Sequence, residues 1–240
     1  MSKILELYLG MLSDEGVKLT KDMAVLEVGC GKGNLLFEMN EKGYNVKGTD
    51  LVSYGYEVRE DIKNKFLPII EDPYEIPFPD NSFDFVFSNQ VVEHVQDLDV
   101  FFKQSSRVLK KGGCSIHVFP SKYRIIEPHI NVPFGGVFTS ERYYKIWANL
   151  GFRYVGQSGT AAEVALENFG LIDKRTNYKT RAQMQVFLKK HFNHYKYIEH
   201  SFLRRGFGRA SNYLSGISNV IPAISTIYGI LHTNVVLLTK

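Results

Sequence analysis

The apolar run Met23 to Val28 stops at a cluster of glycines, and helical spacing of apolar residues follows from Asn34 to Asn40. This order predicts a strand, a glycine loop and a helix. Tyr44 to Thr49 alternates like a second strand and ends at Asp50, and Phe66 to Ile70 reads as a third, stopped before Asp72 and Pro73. Phe83 to Phe87 is a fourth. A helix is expected from Leu98 to Leu109, capped by Lys110, Lys111, Gly112 and Gly113, with a fifth strand at Ser115 to Phe119. Beyond a Pro- and Gly-rich loop, Thr139 or Ser140 can cap a helix reaching Leu150, and Phe152 to Val155 resumes strand character. From Gly159 to His232 the pattern is helical and irregular, and Asn234 to Thr239 closes as a last strand. Alternating strands and helices predict an α/β, doubly wound parallel sheet.

Composition narrows the class. Of 240 residues, 44% are hydrophobic and 22% charged, which excludes collagen-like, coiled-coil and disordered chains. Cys30 and Cys114 show no metal-ligand spacing, so no zinc site is expected and a reducing, cytoplasmic setting fits. The start, MSKILELYLG, lacks the apolar core of a signal peptide, and Asn219, Pro222, His232 and Asn234 interrupt the apolar stretch from Tyr213 to Leu238, so no membrane span is expected. Charge is uneven: residues 1–157 carry 18 Lys and Arg against 21 Asp and Glu, whereas residues 158–240 carry 11 against 4. A basic final third suits an acidic substrate, an anionic membrane surface or nucleic acid, or is a solvated helical face.

The glycine loop reads Glu27-Val28-Gly29-Cys30-Gly31-Lys32-Gly33-Asn34. Glycines there permit a tight turn and close approach of a ligand to backbone. A dinucleotide fingerprint needs a glycine where Asn34 stands, and no GKS or GKT follows, so NAD and ATP are disfavoured. The spacing Glu27, Gly29, Gly31, Gly33 resembles motif I of the class I S-adenosylmethionine-dependent methyltransferases. Further on, the stretch from Ile69 to Gly113, with its PFPDNSFD segment at Pro77 to Asp84, is similar to the type 11, ubiquinone- and menaquinone-biosynthesis-like branch.

The resemblance implies a Rossmann-like seven-stranded sheet with its last strand antiparallel, and S-adenosyl-L-methionine as cofactor. It implies that Glu27, Gly29, Cys30, Gly31 and Gly33 form the nucleotide loop. Asp50, followed by Leu51, would accept both ribose hydroxyls, a task suited to an acceptor-only carboxylate. Asp72, with Pro73, would meet the adenine amino group, and Ser88, Asn89 and Gln90 would approach the sulfonium.

Methyl transfer needs in-line placement more than dedicated catalytic groups. Two candidate catalytic residues stand out: His94, just past the fourth strand, and His129 in the Glu127-Pro128-His129 loop after the fifth. Each has a plainer reading, in shaping the pocket or bonding its own loop. The Val91-Val92-Glu93-His94 segment resembles the Glu-x-x-Glu-His arrangement of quinone O-methyltransferases, where a metal can help, but Gln90 replaces the first acid, so no metal is expected. Tyr143 and Trp147, four apart on a helix, read as core packing.

The chain is expected to be one methyltransferase domain over residues 1–240, with a helical insertion at 158–232 before the last strand serving as an acceptor lid. Phe187, Phe192, Tyr195, Tyr197, Phe202 and Phe207 alternate there with Lys189, Lys190, Arg204, Arg205 and Arg209. A lid over a small acceptor, a basic surface for a lipid-linked or membrane-borne acceptor, a nucleic-acid platform and a dimer interface are the competing uses, nucleic acid being disfavoured for want of a known module. The expected activity is methyl transfer to an oxygen, with nitrogen or carbon as further options; the alternative is a cofactor-binding regulatory or scaffold protein without turnover.

Overall fold

The computed structural model describes residues 3–51, 57–206 and 209–240, with the side chains of 209–212 excepted. In chain order the elements are α1 (Lys3–Asp14), β1 (Ala24–Val28), α2 (Asn34–Glu41), β2 (Asn45–Asp50), β3 (Phe66–Pro68), β4 (Ile70–Glu71), β5 (Tyr74–Glu75), β6 (Phe83–Asn89), α3 (Leu98–Val108) and β7 (Leu109–Pro120). There follow α4 (Glu141–Asn149), α5 (Ala161–Arg175), α6 (Arg181–His191), β8 (His194–Tyr197), α7 (Glu199–Arg205), α8 (Arg209–Val220), α9 (Ala223–Leu231) and β9 (Thr233–Thr239). Short 3-10 turns stand at Glu60–Lys65 and Val92–His94.

Seven strands form one sheet in the order β3-β2-β1-β6-β7-β9-β8. Pairing is parallel from β3 to β7, and β9 runs antiparallel to both β7 and β8. Successive side chains of a strand point to opposite faces, and both faces are covered. Leu26, Val28 and Val86 therefore pack on one side with Phe101, Phe102 and Leu188, while Val25, Phe85 and Phe87 pack on the other with Leu5, Met11 and Leu36. The parallel strands end on one edge, where a doubly wound sheet opens to ligands between its loops.

Several expected boundaries shift. The third strand stops at Pro68, and Ile70–Glu71 pairs instead with Tyr74–Glu75 in a separate two-stranded hairpin. Lys110, Lys111 and Gly112 do not cap α3; they lie inside β7, whose pairing with β6 shifts register between Phe83 and Phe85. Ser140 does cap α4, accepting from the Tyr143 amide, and the rings of Tyr143 and Trp147 pack edge to face on it.

The main correction concerns the sixth strand. Phe152–Val155 is loop, with Val155 fully exposed, and the sixth strand is His194–Tyr197. Residues 158–232 are thus not a purely helical insertion, because β8 within them joins the sheet edge. α7 packs beside α1, where Arg204 lies 3.1 Å from Asp14 and Arg205 forms a forked pair with the same carboxylate. These two arginines are therefore committed to an ion pair within the fold. Phe207 and the side chain of Arg209 lie outside the described residues.

Candidate active site

β1 delivers the glycine loop to the open edge of the sheet. Gly29, Gly31 and Gly33 have φ of 77°, 52° and 78°, a region that costs other residues strain. A Cβ on Gly29 would stand 2.2 Å from Val91, and one on Gly33 would stand 2.3 Å from Ile62, so both are packed against side chains. A Cβ on Gly31 would meet nothing. Gly31 instead borders a cavity of about 570 Å³ lined also by Asp50, Leu51, Arg59, Lys63 and Phe66.

Asp50, the last residue of β2, receives the Gly31 amide on Oδ2 at 2.6 Å and the Leu51 amide on Oδ1 at 2.7 Å. Each oxygen keeps a further lone pair, so the carboxylate is held in place with acceptor capacity to spare. Burial lifts its pKa while those amides pull it down, and the net shift is upward. Behind it Glu27 is fully buried with Oε2 unpartnered, and burial together with the charge of Asp50 pushes it up to about 8. A cradle of open glycine backbone, a fixed acidic acceptor and a cavity of this size fit a nucleoside cofactor.

The other expected cofactor residues are placed less uniformly. Leu51 lines the cavity. Cys30 turns its thiol inward, 3.0 Å from where a Cβ of Gly48 would sit, so its side chain is withdrawn from the loop. Asp72 and Pro73 form the exposed turn of the β4–β5 hairpin, outside that cavity lining. Asn89 ends β6, and Gln90 is exposed with φ of 56°, its amide donating to the Val118 carbonyl at 2.8 Å. Ser88 is spent on the core: its hydroxyl is 2.8 Å from His117 Nδ1 and its carbonyl accepts from Tyr8.

The two candidate histidines come together. Nε2 of His94 and Nε2 of His129 are 3.3 Å apart, with rings edge to face. Nδ1 of His94 faces the Arg175 carbonyl at 2.7 Å, an acceptor only, so that nitrogen carries hydrogen. Nδ1 of His129 likewise donates to Glu127 Oε1 at 2.6 Å. With both Nδ1 protons fixed, two Nε2 lone pairs confront each other unless one proton lies between them. The pair is built to take up a single proton.

Its surroundings divide the titration. Burial lowers His94. For His129 burial also disfavours charge, but the Glu127 carboxylate outweighs it and the net shift is upward. Glu127 is buried, accepts the His129 and Ile130 amides at 2.7 and 2.8 Å and the Tyr178 hydroxyl at 2.6 Å, and stays low in spite of burial. Glu93 closes the cluster, with both oxygens buried and unpartnered, Oε1 lying 4.0 Å from His94 Nε2, and burial pushes it up to about 7. Ligand atoms of Glu93, His94 and His129 all lie within 4.8 Å of one another, a grouping that could hold a divalent cation: His129, not an acid at position 90, joins the Glu93-His94 pair of the segment that resembles a metal-assisted one.

Sequence reasoning missed the strap that holds this cluster. After α5, Asn177 donates through Nδ2 to the carbonyls of Val95 and Gln96, each at 2.9 Å, and its amide donates to that of Glu93. Arg175 and Tyr178 flank it with the contacts to His94 and Glu127 already described. The lone advance signal was the Asn177-Tyr178 pair beyond a helix ending in Lys174 and Arg175.

Comparison with known proteins agrees with this geometry. Residues 26–116 match the family described as methyltransferase domain, type 11. The chain is 35% identical over 103 residues to the ubiquinone biosynthesis O-methyltransferase of Pelagibacter ubique, the match covering 40% of this chain and 41% of that protein. It is 35% identical over 98 residues to a sterol 24-C-methyltransferase of Gibberella zeae, covering 38% of this chain and 26% of the relative. It is 27% identical over 115 residues to ajmaline N-methyltransferase of Rauvolfia serpentina, covering 45% and 39%. The chain thus spans well under two thirds of the length of these relatives. Among solved structures, a phosphoethanolamine N-methyltransferase of Haemonchus contortus shares the fold with TM-score 0.51 and 18% identity, over 97% of this chain and 52% of that one. An S-adenosylmethionine-dependent methyltransferase from Mesorhizobium loti does so with TM-score 0.51 and 14% identity, over 92% and 94%. Glycine loop, strand order and family match agree: residues 26–116 match the methyltransferase-domain family, and the chain has the fold of solved S-adenosylmethionine-dependent methyltransferases.

Proposed function

We propose that this chain transfers the methyl group of S-adenosylmethionine to an oxygen of a small or lipid-linked acceptor, with the His94–His129 pair as base. The observation that carries the reading is the 3.3 Å approach of two Nε2 atoms whose Nδ1 protons are both fixed. Transfer to a hydroxyl oxygen releases one proton, and this is the arrangement that receives one. Relatives acting on oxygen, carbon and nitrogen share the domain, so the choice of oxygen rests on this pair.

The cofactor, when bound, supplies a methyl on a sulfonium. Asp50, Leu51 and the Gly29–Gly33 loop would hold it, and Val91, packed over Gly29, links that loop to the turn bearing His94. The bound cofactor would supply the methyl by cleavage of its carbon–sulfur bond, leaving as the neutral thioether, and the proton that the acceptor hydroxyl gives up would pass to one Nε2 and be shared with the other. Glu127 balances the charge through His129, and Tyr178 and the two amides hold Glu127. The pair titrates as a unit, its upper step raised by Glu127 and its lower step depressed by burial. In this reading α5 forms the lid over the acceptor, with Arg175, Asn177 and Tyr178 as its anchor, while α6 packs on the sheet through Leu188 and α7 beside α1.

The test is the pH profile of S-adenosylhomocysteine release with a panel of phenol, catechol and hydroquinone acceptors. The rate should rise with pH through the upper step, above the ordinary histidine value of 6.5. Glu127→Gln should move that limb to lower pH, and His94→Gln and His129→Gln should each lower kcat by about 10²-fold or more. A flat profile with active histidine variants would sink the base assignment. Loss of activity on chelation, restored by zinc or magnesium, would assign the cluster to a cation instead.

A further inference from the structure

Two segments meet above the edge where the parallel strands end. β8 is antiparallel to β9 and so runs with β7, which puts His200 at that edge; Ser218 near the end of α8 lies 3.2 Å from its Nδ1. The far end of α9 is tied to the loop after β7: the Ser121 hydroxyl donates to the Ile230 carbonyl, and the Ser121 and Ile125 amides donate to the carbonyls of His232 and Leu231 at 3.1 Å. α9 therefore crosses from the end of β8 to the end of β7, and the α8–α9 turn stands on the side where the active site opens.

The side chains displayed there are apolar. Val220 is 81% exposed and Ile221 51% at the turn, Ile227 and Ile230 are exposed on α9, and Tyr123 and Ile125 are exposed on the adjoining loop. Bulky apolar groups exposed at both ends of α9 and along it mark a contact surface. The charge pattern says what kind. Ala210 to Leu231 contains no Asp, Glu, Lys or Arg, no acidic residue follows Glu199, and none occurs between Pro120 and Ile126, where Lys122 and Arg124 alternate with Tyr123 and Ile125. Glu127, next along, is buried and committed to His129.

An exposed apolar surface free of acids, with the half-buried Lys122 and Arg124 behind it, matches the boundary between anionic headgroups and acyl chains. A second copy of the chain fits less well, because a two-fold contact would bring Lys122 and Arg124 of both copies together without an acid from either segment to pair them. Among the described residues no helix is long and apolar enough to cross a membrane, so the contact is peripheral. Arg204 and Arg205, expected to supply the basic surface, are held by Asp14.

We propose that the α8–α9 turn and the Tyr123–Ile126 loop rest on an anionic lipid bilayer, with Val220 and Ile221 entering the headgroup region. This is independent of the methylated atom. The test is flotation of the full chain with phosphatidylcholine vesicles with and without 30 mol% phosphatidylglycerol (about a third anionic lipid, as in charged leaflets), alongside light scattering for oligomeric state. The wild type should float with the anionic vesicles and release partly as salt rises. Val220→Asp with Ile221→Asp should lower the bound fraction at least about tenfold, each aspartate adding both polarity and like charge, while S-adenosylmethionine affinity is unchanged. If that variant misfolds, Ile125→Asp alone makes the same test from the other segment. Failure of the wild type to float, flotation indifferent to these substitutions, or a wild-type dimer that they dissolve would each overturn the proposal.

Discussion

Val91 fills the space that a side chain on Gly29 would need: a Cβ there would stand 2.2 Å from its Cγ2. Gly29 also has φ of 77°. Gly29→Ala therefore carries a backbone cost of about 1–2 kcal/mol plus a steric one. We expect a lower Tm and weaker S-adenosylmethionine binding, and Val91→Ala added to it should recover the steric part alone. Full recovery by calorimetry would show that the φ constraint is unimportant.

Asp50→Ala deletes the acceptor fixed by the Gly31 and Leu51 amides. Cofactor affinity should fall by about 1.5–3 kcal/mol, the scale of charge-assisted hydrogen bonds, with the fold retained. Titration calorimetry on a variant with unchanged circular dichroism checks this. Unchanged affinity would remove Asp50 from the site.

Glu27 makes a stability prediction with a definite sign. Its folded pKa is raised, from 4.5 to about 8, so the folded state is favoured while the group is protonated and loses stability as pH rises through that interval. Glu27→Gln, which is neutral throughout, should be more stable than the wild type at pH 8 when free of cofactor. The advantage should shrink as pH falls toward 4.5. Thermal melts across this range give the answer; an advantage that grows toward acid would contradict the assignment.

Asn177→Ala cuts the strap from the Val95 and Gln96 carbonyls. Two lost hydrogen bonds predict about 1–3 kcal/mol of destabilisation. Because His94 is held from the same segment, kcat should fall more than cofactor affinity, and proteolysis near Arg175 should quicken. Equal losses in both would make Asn177 a purely structural residue.

What could be read in the sequence was local. The glycine loop, Asp50 at the end of its strand and the Ser140 cap each depend on neighbours within a few positions, and each is found as expected. The meeting of His94 and His129 joins residues on separate loops through Arg175 and Glu127, and no periodicity encodes it. The sixth strand was missed because His194–Tyr197 is short, half exposed and rich in polar residues, as edge strands are. Phe152–Val155 has the better β composition, but it lies as a loop off the sheet with Val155 fully exposed, and tertiary context decides.

The position of β8 also decides how this protein can be recombined with its relatives. Two stretches, residues 121–193 and 198–232, leave the sheet and return to it separately, so the structure outside the sheet comes as two exchangeable cassettes with the crossover points at the strand ends. A single excision from residue 160 to 231 would remove β8 and leave β9 as a bare rim of unpaired backbone, an invitation to self-association. Chimeras that swap one cassette at a time should stay monodisperse, and those that cut through both should aggregate before any question of specificity can be asked.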